Sequence, residues 1–477
     1  MLNILIKNFS KDALNYGLGG AFSKILSFLL LPFLTDKISP AEYGIFALLS
    51  LITMALGALT NMGTVNSLTI LFFEEENYKK RERLVWTNFL LLLFINLILI
   101  YITNITSNEI SEFVFGTNKY SDLIFISILG LSLSSLTEPF LNYLRMERES
   151  LKYLSQMTFK SILFVSLTLY IVIFLNEGLK GYFLSITLAN LIFLISILIL
   201  VGRKLSFRLE YSKVPQLIKI GFPSIFGIFA FIFIDYADRT IIEYIIGIKE
   251  LGIYTVAYSL GMVALLFTDS FSLTWSPFFN SFIKRQKEAQ KNFPIVFSFY
   301  TSISLIITIL FFYLSKPIMY IFTESSYHSG YIVIGFIAFS YLIKGVYLIF
   351  LPGIYFNKKL YLQSLIEWFS ALVNIFLNFL FIPIFGITGA AIATLFSYIM
   401  LSMGAHYFGN RFLPINYDWS KLFINTMIAT FSIILILIND LIFTTNFLKE
   451  FLINSTIVII SVFIIYKINF KTIKIYG

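Results

Sequence analysis

Apolar runs of membrane-crossing length follow one another along almost the whole of this chain, with so little between them that no soluble domain has room to fold. A helix crosses a hydrocarbon core of about 30 Å with roughly 20 residues at about 1.5 Å each. Hydropathy places fourteen such stretches, at 12–35, 42–72, 84–103, 121–144, 153–175, 180–201, 217–238, 251–281, 293–315, 329–351, 360–382, 388–408, 421–438 and 450–466. In hydrocarbon the backbone must satisfy its own hydrogen bonds, which makes spans of this length helices. A content of 58% hydrophobic and 13% charged residues in 477 lies outside the soluble range and leads to the same class. The expected fold is an all-α polytopic membrane protein with fourteen transmembrane helices.

A net charge of +9 raises the question of nucleic acid, and the distribution of the charge decides against it. Placing the N-terminus in the cytoplasm puts 25 of the 35 Lys and Arg residues on the cytoplasmic side and seven outside, with Lys24, Lys160 and Lys344 in the membrane. That asymmetry is the positive-inside signal and puts both termini in the cytoplasm. The opening MLNILIKNFSKDALNYG has no small-residue cleavage site and leads into a full-length span, so it is read as an uncleaved first helix. There is no cysteine, which removes disulfides, thiolate metal sites and cysteine nucleophiles. His328 and His406 are far apart, and no phosphate-cradling loop or Ser-His-Asp set is present, so the chain is not read as an enzyme.

Identities recur at one offset of 208 residues. Glu42, Gly44, Ile45 and Met54 match Glu250, Gly252, Ile253 and Met262; Tyr153-Leu154 matches Tyr361-Leu362; Gly178 and Gly181 match Gly386 and Gly389; Gly19 matches Gly227. A shared offset across separated regions indicates duplication of a six-helix unit. An even number of helices gives both copies the same orientation, related by a pseudo-twofold axis along the membrane normal. The expected organisation is a six-helix lobe over 1–208, a second over 209–412, and two extra helices over 413–477. The intramembrane charges break the repeat: Lys24, Lys160 and Lys344 correspond to Ile232, Trp368 and Leu136. Fold symmetry with chemical asymmetry is expected of a site on the seam between lobes.

Lys24 lies near the middle of its span, about 17 Å from either end, beyond the reach of a snorkelling side chain. An ammonium there costs about 2.5 to 3.5 kcal/mol on insertion scales, so it is a functional candidate by default. The alternatives are an ion pair with a carboxylate on another helix and a hydrated cavity that receives an anion. Lys160 sits nearer a helix end, where it can serve that cavity or snorkel to the cytoplasmic face. Arg145, Arg148 and Lys152 stand at the cytoplasmic mouth between the fourth and fifth spans, as headgroup collectors or topology determinants. The seventh span carries Asp235, Asp238 and Arg239; Asp235 and Arg239, four apart, share a face and can neutralise each other. Lys344 precedes the Pro352-Gly353 break, where loosened backbone can line a cavity; the alternative is an ion pair with Glu367 or Asp269. Asn374 and Asn378 are one turn apart on the eleventh span, and Thr394 lies on the twelfth. Amide and hydroxyl oxygens suit hard cations, and equally suit interhelical hydrogen bonds. Tyrosines such as Tyr16 and Tyr236 are candidates for sugar contacts.

The first span with Pro32 and the following SPAEYGIF at 39–46, Asp238-Arg239 followed by LGIYTVAY at 251–258, and FGITGAAIATL at 385–395 resemble the Wzx-type polysaccharide flippases of the MOP exporter superfamily. The resemblance implies alternating access by two six-helix lobes in a bacterial cytoplasmic membrane. It implies movement of a polyprenyl-diphosphate-linked glycan, for O-antigen or capsule, toward the outer leaflet, with a glycan polymerase and glycosyltransferases as partners. Lys24, Lys160, Arg239, Lys344, Arg145 and Arg148 would then bind substrate. A sodium site formed in related lipid II flippases by helices seven, eleven and twelve carries over to Asp235, Asn374, Asn378 and Thr394; Asn378 stands where an acid is expected. No resident cofactor is implied beyond Na+ or H+ as coupling ion. The rival readings are a drug/cation antiporter of the same superfamily, which favours acidic sites and does not need Lys24, and a glycan polymerase or ligase, which needs a large outer loop where about Asn104 to Tyr120 is the longest. A purely structural scaffold would have no use for intramembrane charges.

Overall fold

The computed structural model describes residues 26 and 29–470, apart from 281, 284, 358 and 443–446. Lys24 and Tyr16 lie outside the described residues. Among those described, every regular element is helical, and eleven segments are long and apolar enough to cross a membrane. The difference from the fourteen expected has three sources. Most of 12–35 lies outside the described residues. Helix α8 (Pro223–Ile246), which covers most of the seventh expected span, is not among the eleven and concentrates Asp235, Asp238 and Arg239 within about one turn. The eleventh and twelfth expected spans are merged in one element, α13 (Leu360–Phe412), whose Gly386 has φ 58° and ψ −141° and breaks it into two limbs.

The chain divides into two compact units between Ile232 and Phe233, within α8. Element starts follow the repeat: Pro40 and Ile248, Tyr78 and Gln286, and Gly178 and Gly386 are each 208 residues apart. Gly178 and Gly386 both take left-handed φ, 50° and 58°, a conformation without penalty only for glycine.

In the first unit, α1 (Pro40–Asn61) starts with a capping box. The Ser39 backbone N–H and hydroxyl donate to Glu42 Oε2 at 2.9 and 2.8 Å, and Pro40 occupies the first helical position. The expected helix over 42–72 is not continuous. Met62 and Gly63 have φ 47° and 64°, separating α1 from α2 (Thr64–Glu74). The polar stretch around the turn, Thr60 to Ser67, is short beside the apolar runs on either side, and a hydropathy window averages over it. α3 (Tyr78–Phe115) is capped by Asn77 and Gly116 and measures about 57 Å. The outer loop expected near 104–120 is therefore largely helix; Glu109 and Glu112 lower hydropathy without stopping the helix. α4 (Ser121–Met146), α5 (Ser150–Thr168), α6 (Gly178–Leu200) and α7 (Val214–Gly221) complete the unit. Its core joins Phe72, Leu84, Phe89, Phe140, Phe193 and Leu217 from five helices. α4 and α6 approach closely at Gly130, where an added Cβ would lie 2.7 Å from Thr187 Oγ1; Asn190 Nδ2 donates to the Gly130 carbonyl at 3.0 Å.

The second unit continues with α9 (Ile248–Gly261), α10 (Leu265–Asn280), α11 (Gln286–Phe322), α12 (Tyr331–Phe350), α13, α14 (Trp419–Ile442) and α15 (Phe447–Phe470). α12 packs against α9, α10, α11 and α13. The last two helices are tied into this unit. Leu305 and Ile309 of α11 pack with Ala429, Ile436, Val458 and Ile465. Lys316 Nζ donates to both oxygens of Glu450 at 2.8 and 2.9 Å. Asn439 and Asn454 extend this network to Asp440 through bonds of 2.8 and 2.9 Å.

Candidate functional site

In the second unit, charged groups and tyrosine hydroxyls gather around α8. Arg239 is 5% exposed and Asp238 0%. The expected ion pair between Asp235 and Arg239 is not the one that forms. Arg239 Nη1 pairs with Asp238 Oδ1 at 3.3 Å and donates to the backbone carbonyl of Asp235 at 2.5 Å. The carboxylate of Asp235 instead accepts from Tyr398 on α13 at 2.7 Å. The guanidinium lies 4.0 Å from the Tyr236 ring centroid and 4.8 Å from that of Tyr258. Such contacts contribute about 2 kcal/mol when desolvated, which helps offset burial of the cation. Tyr236 therefore packs on Arg239.

The acids are met by phenols. Asp238 accepts from the Tyr254 hydroxyl, with Thr394 of α13 beside Tyr254. Tyr258 and Tyr341 share a 2.7 Å hydrogen bond. Glu367 accepts from Tyr347 at 2.8 Å and from Gln363 at 2.9 Å. Lys344 Nζ lies 5.8 and 5.9 Å from the ring centroids of Tyr341 and Tyr398. Asp235, Arg239, Lys344 and Thr394 thus belong to one cluster, with Arg239 and Thr394 buried and Asp235 and Lys344 half-buried, joined by tyrosines the sequence reading did not single out. Their signal was present: Tyr254 and Tyr258 are one turn apart within LGIYTVAY, and Tyr341 is three residues before Lys344.

Asn374 and Asn378 form a separate pair. Asn378 Nδ2 donates to the side-chain and backbone oxygens of Asn374 at 2.8 and 3.0 Å. Both residues are fully buried, and Asn378 Oδ1 and Asn374 Nδ2 have no partner among the described residues. Among the described residues no hydrogen bond links this pair to Asp235. An orphaned buried amide oxygen is of the donor type that a hard cation takes.

In the first unit, Lys160 does not snorkel. Its Nζ donates to Ser134 Oγ of α4 at 3.1 Å and stands 5.4 Å from the Phe193 ring centroid. A hydroxyl and an aromatic face hold the ammonium among the helices. Glu138, one turn from Ser134 and absent from the sequence candidates, meets Arg145 at 3.9 Å. Both are more than a third exposed, so that contact contributes little. Arg148 is exposed in the turn between α4 and α5, with φ 57°. Lys152 pairs with Glu149 at 2.6 Å. In the same turn, burial pushes the Glu147 carboxyl above the usual carboxylate range against the pull of Arg81.

The model of the family described as polysaccharide biosynthesis protein matches residues 9–283, more than half of the chain. The chain belongs to that family. This is the membership to which the segments at 39–46 and 251–258 pointed. No curated protein sequence matches it. Among solved structures, a lipid II flippase MurJ in an inward closed conformation aligns at a TM-score of 0.72 and 15% identity, over 96% of this chain and 98% of that one. An inward-facing multidrug resistance MATE family transporter of the MOP superfamily aligns at 0.67 and 11% identity, over 83% and 94%. The Vibrio cholerae MATE transporter VcmN in its bent form aligns at 0.57 and 14% identity, over 86% and 97%. At these identities the likeness is one of fold, and the fold is that of MOP superfamily transporters.

Proposed function

We propose that this membrane protein translocates a polyprenyl-diphosphate-linked oligosaccharide from the cytoplasmic to the outer leaflet of a bacterial cytoplasmic membrane by alternating access. The observation that carries the reading is the polysaccharide biosynthesis family match over residues 9–283. A fold shared with a lipid II flippase supports it. A diphosphate carries about two negative charges and needs a cationic, hydrated path through hydrocarbon. Lys160, turned inward at Ser134, is suited to that path, and Lys24 is the sequence's own candidate for it. Arg145 and Arg148 would gather the headgroup, and Lys344 would act from the second unit. Arg239, held by Asp238 and two rings, is better suited to bracing α8. Na+ or H+ would drive the cycle through Asp235, with Asn374, Asn378 and Thr394 supplying neutral oxygens. Glycosyltransferases upstream and a glycan polymerase downstream would be its partners.

A second reading, antiport of organic cations, draws on the MATE-like fold, on the buried Asp238 and Glu367 and on the half-buried Asp235. Deleting the gene separates the two. A surface glycan should disappear while its lipid-linked precursor accumulates; an unchanged glycan with heightened sensitivity to cationic drugs sinks the flippase reading.

A further inference from the structure

A cleft of about 820 Å³ in the second unit takes no part in the function proposed above. It runs along the second limb of α13, against α11, α12 and α14. Ile399 and Arg411 both line it, and the helical rise between them is about 18 Å. The hydrocarbon of a single leaflet is about 15 Å deep, half of the roughly 30 Å core. Met403 and Tyr407, 58% and 64% exposed, lie on its wall and open it sideways.

The two ends of the cleft differ in chemistry. The shaft is apolar, formed by residues such as Leu305, Phe339 and Val346. Two of the hydroxyls that line it are turned back onto helix carbonyls: Thr301 onto Phe297 at 2.8 Å and Ser402 onto Ile343 at 3.2 Å. At the other end stand Arg411, Asn410 and His406. Arg411 is exposed and makes no ion pair among the described residues. His406 is flanked by Phe350 and Trp419, each at 4.9 Å between ring centroids, and its Nδ1 is buried without a hydrogen-bond partner.

An apolar shaft one leaflet deep, with an exposed guanidinium at its mouth that makes no ion pair among the described residues, has the polarity of a single amphiphile. We propose that this cleft binds one anionic phospholipid of the surrounding bilayer, with its phosphate at Arg411 and an acyl chain along the shaft. The depth favours a bilayer phospholipid over the substrate's polyprenyl tail, which is too long for it. The bound lipid braces α14 against α13 and is independent of what the protein transports.

Native mass spectrometry of the full-length protein tests this, with phosphatidylglycerol, phosphatidylethanolamine of the same acyl chains, and a polyprenyl phosphate as probes. The wild type should retain one phosphatidylglycerol in preference to phosphatidylethanolamine. Arg411→Gln should weaken that retention about fivefold, the loss of one cation–phosphate attraction at a membrane surface. Val346→Trp should abolish it by filling the shaft while leaving Arg411 in place. Size-exclusion profiles establish that each variant is folded, and either one alone answers the question. Equal retention of both phospholipids, undiminished retention in a folded variant, or one-for-one displacement of phosphatidylglycerol by polyprenyl phosphate would each overturn the proposal.

Discussion

Arg239→Met exposes the energetics of the buried cluster most clearly. Asp238 is fully buried and has Arg239 as its ion-pair partner, at 3.3 Å. Removing one member of a buried pair leaves an uncompensated charge and costs about 3–5 kcal/mol. Set against a typical total of about 5–15 kcal/mol, that is a large loss. Methionine keeps apolar volume between Tyr236 and Tyr258, so the effect reports charge more than cavity. Neutralising the acid as well should relieve most of it, because Tyr254 can still donate to an amide oxygen. Asp238→Asn with Arg239→Met should therefore lie closer to wild type than Arg239→Met alone, with a coupling energy of at least about 2 kcal/mol. Equilibrium unfolding of the purified protein and its three variants in mixed micelles completes the cycle. Additive effects, or a single Arg239→Met variant as stable as wild type, would refute the idea that Asp238 depends on this cation.

Lys316→Met leaves Glu450, 4% exposed, without its cation, and should loosen α14 and α15 at a cost of about 3–5 kcal/mol; faster proteolysis between these helices checks it, and Lys316→Met with Glu450→Gln should restore protection. Tyr398→Phe removes the hydroxyl that donates to Asp235 and should cost about 1–3 kcal/mol, read from the unfolding midpoint. Asp235→Asn should weaken ion-dependent transport in reconstituted vesicles; unchanged dependence on both sodium and protons removes Asp235 from coupling. Lys24→Ala should stop surface glycan export at normal protein abundance, and wild-type export in that strain would remove Lys24 from substrate binding.

The features legible in the sequence are those set by local physics. Hydropathy marks the spans because hydrocarbon demands long apolar helices. Gly178 and Gly386, paired by the repeat, both take the left-handed backbone that glycine permits. The break at Met62-Gly63 stayed hidden because the polar stretch around it, Thr60 to Ser67, is short beside the apolar runs on either side. Partner choice was the least legible. Asp235 and Arg239 have the spacing of an intrahelical pair, yet Arg239 folds onto Asp238 while Tyr398, 163 residues away, takes the Asp235 carboxylate. The reach of Lys160 to Ser134 and the 134-residue separation of Lys316 and Glu450 are likewise products of packing, which periodicity does not encode. Of the two extra helices outside the six-helix repeat, α15 is joined to α11 by that buried ion pair.

Leaflet exchange of substrate is the most direct measurement. Proteoliposomes containing the purified chain are loaded with a polyprenyl-diphosphate-linked oligosaccharide, and its exposure is followed with an impermeant lectin or a periodate label. Time-dependent transfer that exceeds protein-free vesicles and falls in Lys160→Met is the expected result. No transfer of any lipid-linked glycan, together with proton- or sodium-driven efflux of an organic cation from the same vesicles, would contradict it.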